Sequence, residues 1–167
     1  MIDELISEEH ISVIVEKLLA QSRQIQVHEK NERELMYPPY CTMRQKHNVT
    51  GMLLSALAPD RFTHKEIEVT DVKYGLHEML GQPELKVDNA IMQVYSNGSD
   101  LKGKVISERC ETFNCFDSRR PQFLLMVVAI NGEGVISQID IRRPDKSGKI
   151  VETKQVYTNI VPIANAM

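Results

Sequence analysis

The sequence has 167 residues, of which 42% are hydrophobic, 26% charged and 5% aromatic, with a formal net charge of −3. This balance is ordinary for a globular domain and excludes collagen, mucin-like stalks and a fully disordered chain. No apolar run approaches the about 18 residues of a membrane-spanning helix, and the acidic N-terminus lacks the basic start of a signal peptide. We therefore expect a cytoplasmic protein that does not enter a membrane.

Charge is distributed unevenly along the chain. Residues 1–83 carry a net charge of −4, whereas residues 84–167 carry +1. The negative net charge gives no overall electrostatic attraction for nucleic acid. A local basic patch in the C-terminal half would still allow nucleic acid as a partner. The candidate binding residues in this half are Gln138, Arg142, Arg119 and Arg120.

The first predicted element is a long helix with a clear start. Ser7 is a capping residue, Glu8 and Glu9 favour the positive helix end, and Ile6 is placed to pack on Ile11. The helix extends for up to about 28 residues at helical spacing and must end before the two prolines at 38 and 39. This position suggests a helical segment 1–37 and an α+β domain 41–167, or else one domain 1–167. The apolar stripe consists of Ile11, Ile14, Val15, Leu18, Leu19 and Ile25.

The next part of the chain gives weaker signals. Residues 41–58 contain a compact apolar run that favours a short buried helix, with a strand as the alternative. Residues 64–70 alternate and predict a short strand. Thr70 and Asp71 then offer a cap for a helix over 72–80, which Gly81 and Pro83 would end.

The C-terminal half is typical of a sheet. Strands are predicted at 90–95, 123–130, 135–143 and 149–157, separated by turn residues such as Asn131–Gly134 and Pro144–Gly148. Residues 104–113 fit either a helix or a strand. The predicted fold class is therefore α+β, with N-terminal helices followed by an antiparallel β-meander of about three to five strands.

The last hairpin has the strongest chemical signal. If Arg143 and Lys149 flank the turn, the simplest pairing places Asp140 directly opposite Glu152, with Lys154 further along the same face. Two facing carboxylates repel unless a cation lies between them. That face also carries Gln138 and Arg142, while the other is apolar: Val135, Ile139, Ile141, Val151 and Tyr157.

Mg²⁺ is a hard cation that accepts one or two carboxylates, and a nearby lysine can orient an attacking water. The pattern of Asp140, Glu152 and Lys154 resembles the PD-(D/E)xK nuclease family, over about 30 residues. The resemblance implies Asp140 and Glu152 as metal ligands and Lys154 as a catalytic residue. The alternative is a solvent-facing strand pair joined by Asp140–Lys154 and Glu152–Arg142 ion pairs.

A third hypothesis is a metal-free ribonuclease. It would use His77 in acid–base catalysis, with Arg119 and Arg120 among the cations that stabilise the phosphorane. The chain has no glycine-rich phosphate loop and no nucleophile elbow.

No complete catalytic set is evident, while the long capped helix and the half-polar sheet offer binding surfaces. The favoured expectation is a small interaction or regulatory domain that binds a protein partner or a second copy of itself. No cofactor is expected, and Mg²⁺ enters only under the nuclease hypothesis.

Overall fold

The computed structural model describes residues 1–34, 49–72, 82–96 and 121–159. These segments form helices packed on one face of a sheet. The helices are α1 (Ile2–Leu5), α2 (Glu8–Glu34) and α3 (49–54), and a 3₁₀ turn (Ser55–Leu57) follows α3. The strands are β1 (Ile67–Val72), β2 (Gln82–Val87), β3 (Ala90–Ser96), β4 (Gln122–Ile130), β5 (Ile136–Pro144) and β6 (Ile150–Thr158).

Helix α2 begins as the sequence predicts. The Ser7 hydroxyl accepts a hydrogen bond from the His10 amide at 3.3 Å, which satisfies one of the first-turn donors. Ile6 and Ile11 are both buried in the same core, as a hydrophobic staple requires. The helix is 27 residues long, close to the predicted length. The predicted boundary at the two prolines lies outside the described residues.

The first-choice helix for residues 41–58 is confirmed in the part that the structure describes, where α3 and the 3₁₀ turn bury Leu53 and Leu57. The prediction that Thr70 and Asp71 cap a helix is wrong, because both lie in β1 and pair with β2. The backbone of Thr70 and Asp71 therefore takes part in strand pairing instead of starting a helix. The rest of that predicted helix, and the ambiguous segment 104–113, lie outside the described residues.

The described strands form one sheet in the order β1-β2-β3-β4-β5-β6. The α+β class is confirmed, but the predicted three to five strands become six. The predicted antiparallel pairing is found between all neighbouring described strands except β3 and β4, which pair in parallel. A parallel pair needs a crossover of a dozen or more residues, and the chain between Ser96 and Gln122 is long enough to supply one.

Strand β2 is the element that the sequence prediction missed. Gly81 and Pro83 suggested a helix end, whereas Pro83 lies in β2 opposite Asp71. A tight hairpin joins β2 to β3, and its turn residue Asp88 has φ +51°, a conformation that aspartate tolerates better than most residues.

The main core lies between the helices and one face of the sheet. The opposite face carries a smaller cluster around Tyr95, Phe123 and Leu125. Burial on both faces explains the continuous apolar sequence of β4. None of the described helices is both long and apolar enough to cross a membrane. The fully buried side chains of the main core include Ile2, Ile14, Leu18, Ile25, Leu53, Leu57, Leu85, Met92, Leu124, Met126, Ile139 and Ile141.

Gly134 sets the approach of α2 to the sheet. It has φ +89°, and a Cβ added there would lie 2.5 Å from Ile25 Cγ2. The buried Ser22 hydroxyl of α2 donates a hydrogen bond to the Gly134 carbonyl. Helix α2 and the turn between β4 and β5 therefore meet at van der Waals distance.

Candidate functional site

The β5–β6 hairpin has a different register from the predicted one. Asp140 pairs with Gln155, and Glu152 pairs with Arg143. Two register shifts, between Ile139 and Asp140 and between Arg143 and Pro144, offset the strands. The prediction that Asp140 lies opposite Glu152 is therefore wrong for two reasons. The hairpin closes with Pro144 opposite Ile150 instead of Arg143 opposite Lys149, and a bulge next to that pair adds one further residue that simple counting does not include.

The new register separates the two carboxylates onto opposite faces of the sheet. Side chains alternate along a strand, so Asp140 and Arg142 share one face, while Arg143 and its partner Glu152 share the other. Asp140 is buried and accepts hydrogen bonds from the Gln138 amide at 2.9 and 2.7 Å. An Arg142 nitrogen lies 3.6 Å from Asp140.

Glu152 is bound within the fold on the helix-facing side. Its Oε1 accepts hydrogen bonds from the Ile2 amide and from Arg143 Nε, each at 3.0 Å. It thereby fastens α1 to the hairpin.

Lys154 is bound on the same side of the sheet. Its ammonium donates to the carboxylates of Asp3 and Glu8, one from each of the first two helices. These hydrogen bonds, that to Asp3 first, outweigh burial and raise the pKa of Lys154 above its ordinary value. The cation holds the start of α2 against β6. The predicted ion pairs of Lys154 with Asp140 and of Glu152 with Arg142 are replaced by these contacts.

The described residues contain no group of three or more His, Cys, Asp or Glu side chains that could hold a metal ion. The facing carboxylates on which the nuclease resemblance depends are not brought together. His77, Arg119 and Arg120 lie outside the described residues, so the ribonuclease hypothesis stays a prediction.

A cleft of about 440 Å³ lies between α2 and β6. Its apolar lining comes from Ile11 and Val15 on the helix and from Val156 on the strand. All three also pack against the main core, so the floor of the cleft is fixed by the fold. Its polar lining consists of Glu8, Ser12, Glu16, Lys154 and Gln155.

The strand that forms one wall of this cleft is at the edge of the sheet. Among the described residues, β6 pairs with β5 and with no other strand. Its side chains alternate between half-buried and exposed, and Val151 remains 48% exposed. An edge strand presents backbone N–H and C=O groups that can pair with another chain.

The helix wall of the cleft is acidic. Glu8, Ser12 and Glu16 follow each other at four-residue spacing and are all exposed, so they form one row on α2. Glu8 is 80% exposed although one of its oxygens contacts Lys154. Glu16 has no ion-pair partner within the described part of the chain. The cleft therefore combines an apolar floor, an acidic wall and a strand edge.

A second cluster of charged groups surrounds His10 at the start of α2. Its Nδ1 lies 2.8 Å from Asp88, its Nε2 lies 2.9 Å from Glu66, and its side chain is only 7% exposed. Ser7 donates its amide to the same Asp88 oxygen at 2.9 Å. His64 packs edge-on against the His10 ring at 5.5 Å. This cluster ties α2 to the β1 and β2 end of the strand order, whereas Lys154 ties it to β6 at the opposite edge.

Comparison of the chain with protein-family models, with curated proteins and with solved structures finds no match in any of the three. Inference about function therefore depends on the side chains themselves.

Sequence reasoning expected a binding surface on the long helix but missed the cleft. It predicted Ile11 and Val15 as part of the apolar stripe and Glu8 as a helix-start residue, and it did not place a strand beside them. The four-residue spacing of Glu8, Ser12 and Glu16 was the available signal. Its significance depended on β6 lying beside that row, which the sequence does not reveal.

Proposed function

We propose that this chain is a protein-interaction domain that binds an extended segment of a partner protein in the cleft between α2 and β6. The observation that carries the proposal is an edge strand with a partly apolar cleft between it and a helix. A segment in this position adds a strand to the sheet through main-chain hydrogen bonds.

Recognition in this mode is divided between backbone and side chains. Main-chain pairing with β6 gives affinity with little dependence on sequence, while alternate side chains of the segment enter the cleft. One added strand buries less surface than a standard stable interface. We therefore expect dissociation constants in the roughly micromolar range.

The surroundings of the cleft favour binding over catalysis. Lys154 and Glu152 are engaged in contacts that hold α1, α2 and β6 together. A group whose proton or charge is committed to a structural contact is poorly placed to serve as an acid, base or metal ligand. The apolar floor formed by Ile11, Val15 and Val156 suits a side chain of a peptide.

The test is to block the cleft with one substitution on its helix wall. Ser12 is exposed on α2, so Ser12→Arg introduces a long side chain that fills the cleft and pairs with the carboxylates one turn away on each side. Arginine is a good helix former, and the free energy of unfolding should not fall. The control is Gln24→Arg, which adds the same charge at an exposed position of α2 away from the cleft.

Binders would be selected from a displayed library of unstructured ten-residue peptides and titrated into the ¹⁵N-labelled chain. We expect them to shift the amide resonances of β6. We also expect Ser12→Arg to weaken them at least tenfold and Gln24→Arg to leave them unchanged. Failure to recover any binder, or binders indifferent to Ser12→Arg, would contradict the proposal.

A second copy of the chain is the competing occupant of this edge. Sedimentation at rising concentration separates the two cases. A dimer that Ser12→Arg dissociates would overturn the proposal, because the cleft would then be an interface between copies. A monomer that still binds selected peptides supports it.

A further inference from the structure

The acidic wall of the cleft has a defined length. Glu8 and Glu16 are eight residues apart on α2, with Ser12 midway. At the α-helical rise this separation corresponds to about 12 Å along the helix axis. Both carboxylates are exposed at the rim, so the wall offers two negative sites with a neutral site between them.

An extended segment has a matching repeat. A strand advances about 3.3 Å per residue, and side chains at every second position share a face. Residues four apart on the segment therefore lie about 13 Å apart and point in the same direction. Two such side chains have nearly the same separation as the two carboxylates, and residues of both α2 and β6 line the cleft.

The two carboxylates can accept a further cation. Glu8 contacts Lys154 through one oxygen, and its other oxygen makes no hydrogen bond within the described residues. A carboxylate has about four lone-pair sites in all. Glu16 has no cationic partner in the described part of the chain. The wall therefore keeps negative charge that Lys154 does not neutralise.

The middle of the cleft differs from its ends. Ser12 lines the cleft together with Ile11 and Val15 of the helix and Val156 of the strand. The residue of the segment midway between the two cations shares their face and meets this apolar surface. An apolar side chain there gains burial, whereas a charged one would lose hydration without a partner.

We infer that the segment bound in the cleft carries two basic side chains four residues apart, with an apolar residue midway between them. The inference rests on the proposed function, since it specifies the partner of the same cleft. The juxtaposition that carries it is the Glu8–Ser12–Glu16 row beside the apolar floor and the edge of β6. Exposed ion pairs add little individually, so the pattern gives selectivity rather than most of the affinity.

The test uses peptides of one composition. The seven-residue peptide Thr-Lys-Thr-Val-Thr-Lys-Thr has the inferred spacing, and Thr-Lys-Thr-Lys-Val-Thr-Thr has its lysines two apart. Both are titrated into the ¹⁵N-labelled chain at low salt. We expect the first to bind at least threefold more tightly, and the difference to shrink as salt rises.

Charge reversal at one end of the wall gives the second readout. Glu16→Lys should weaken the first peptide about fivefold. The first peptide has two variants in which a single lysine is replaced by glutamate. Glu16→Lys should strengthen binding of the variant whose glutamate lies next to position 16. Asp60→Lys makes the same charge change at an exposed position outside the cleft and should alter neither result.

The outcomes separate this inference from the proposed function. If the two peptides bind equally, or if Glu16→Lys has no effect, the inferred pair of basic residues four apart is overturned, even where library peptides still bind in the cleft. Library peptides that ignore Ser12→Arg overturn the proposed function itself. Preference for the four-residue spacing together with its reversal by Glu16→Lys supports both.

Discussion

His10 is the residue whose environment departs most from the expectation for a histidine on a helix. Two carboxylates from distant parts of the chain, Glu66 and Asp88, contact its two ring nitrogens. The hydrogen bond that His10 donates to Asp88 is the main reason that the pKa of His10 lies above its ordinary value of 6.5, although burial opposes the shift. A protonated His10 donates to both carboxylates, so charge and hydrogen bonding act together.

Asp88 is coupled to the same protonation. Burial favours its neutral form, but hydrogen bonds from His10 and from the Ser7 amide outweigh burial and lower its pKa below 3.8. Its contribution to folding is present above about pH 3.8 and is lost as pH falls through its folded pKa. The His10–Asp88 pair is thus most stabilising between the ordinary pKa of aspartate, 3.8, and that of histidine, 6.5.

We predict that stability falls as pH rises from 6 to 8. A raised folded pKa means that the contribution of His10 is complete below about pH 6.5 and is lost as pH rises through the folded value. Urea unfolding at several pH values measures this trend. His10→Gln should flatten it, whereas His28→Gln, at an exposed position further along α2, should leave it in place. A ring titration of His10 by NMR at or below pH 6.5 would contradict the prediction.

At the scale of elements, local sequence pattern identified the type of most described elements, but it missed β2 and did not give the register of the strands. Three local signals each identified an element. The cap at Ser7 identified α2, the alternation of 64–70 identified β1, and the apolar run 123–130 identified β4. Strand β2 was missed because Gly81 and Pro83 also end helices. The parallel pairing of β3 with β4 has no local signal, because it is a contact between strands that are far apart in the sequence.

The β5–β6 hairpin shows how an unpredicted strand register changes which side chains can form a site. Its turn residues were predicted correctly, and Asp145 accepts hydrogen bonds from the Ser147 and Lys149 amides. The strands close with Pro144 opposite Ile150 instead of Arg143 opposite Lys149, which already moves Glu152 away from Asp140, and the bulge next to that pair then places the two carboxylates on different faces. Because the side-chain repeat of a strand is two residues, one inserted residue exchanges the faces. The cleft could not be predicted for the same reason, since it needs the register and helix placement together.

The register can be tested through Glu152. Simple counting from the turn makes its removal neutral or stabilising, because it relieves repulsion from Asp140. The observed contacts give the opposite sign, since Glu152→Ala leaves the Ile2 amide and Arg143 without their acceptor. We expect a loss of about 1–2 kcal/mol in urea unfolding. Gln155→Ala, on the exposed side of the same strand, is the control and should cost far less.

At the scale of the molecule, the sheet separates two chemical environments. Its helix-facing side carries the main core and the contacts of Glu152 and Lys154. Its other side carries Asp140 with Gln138, near the cluster of Phe123. One cation cannot bridge groups on the two sides, because the sheet lies between them. The cleft between β6 and α2 lies at the edge of this sheet.

This separation predicts that Mg²⁺ or Mn²⁺ does not stabilise the chain through Asp140 and Glu152. A metal at 100 times its dissociation constant would add about 2.7 kcal/mol, which raises Tm by roughly 5–10 °C at this size. We expect melts with either ion to match the melt in EDTA. We also expect Asp140→Asn to leave that comparison unchanged, because its carboxylate is committed to Gln138 and Arg142. A stabilising shift that disappears in Asp140→Asn and in Glu152→Gln would show that one ion reaches both residues, and the register described here would then be wrong.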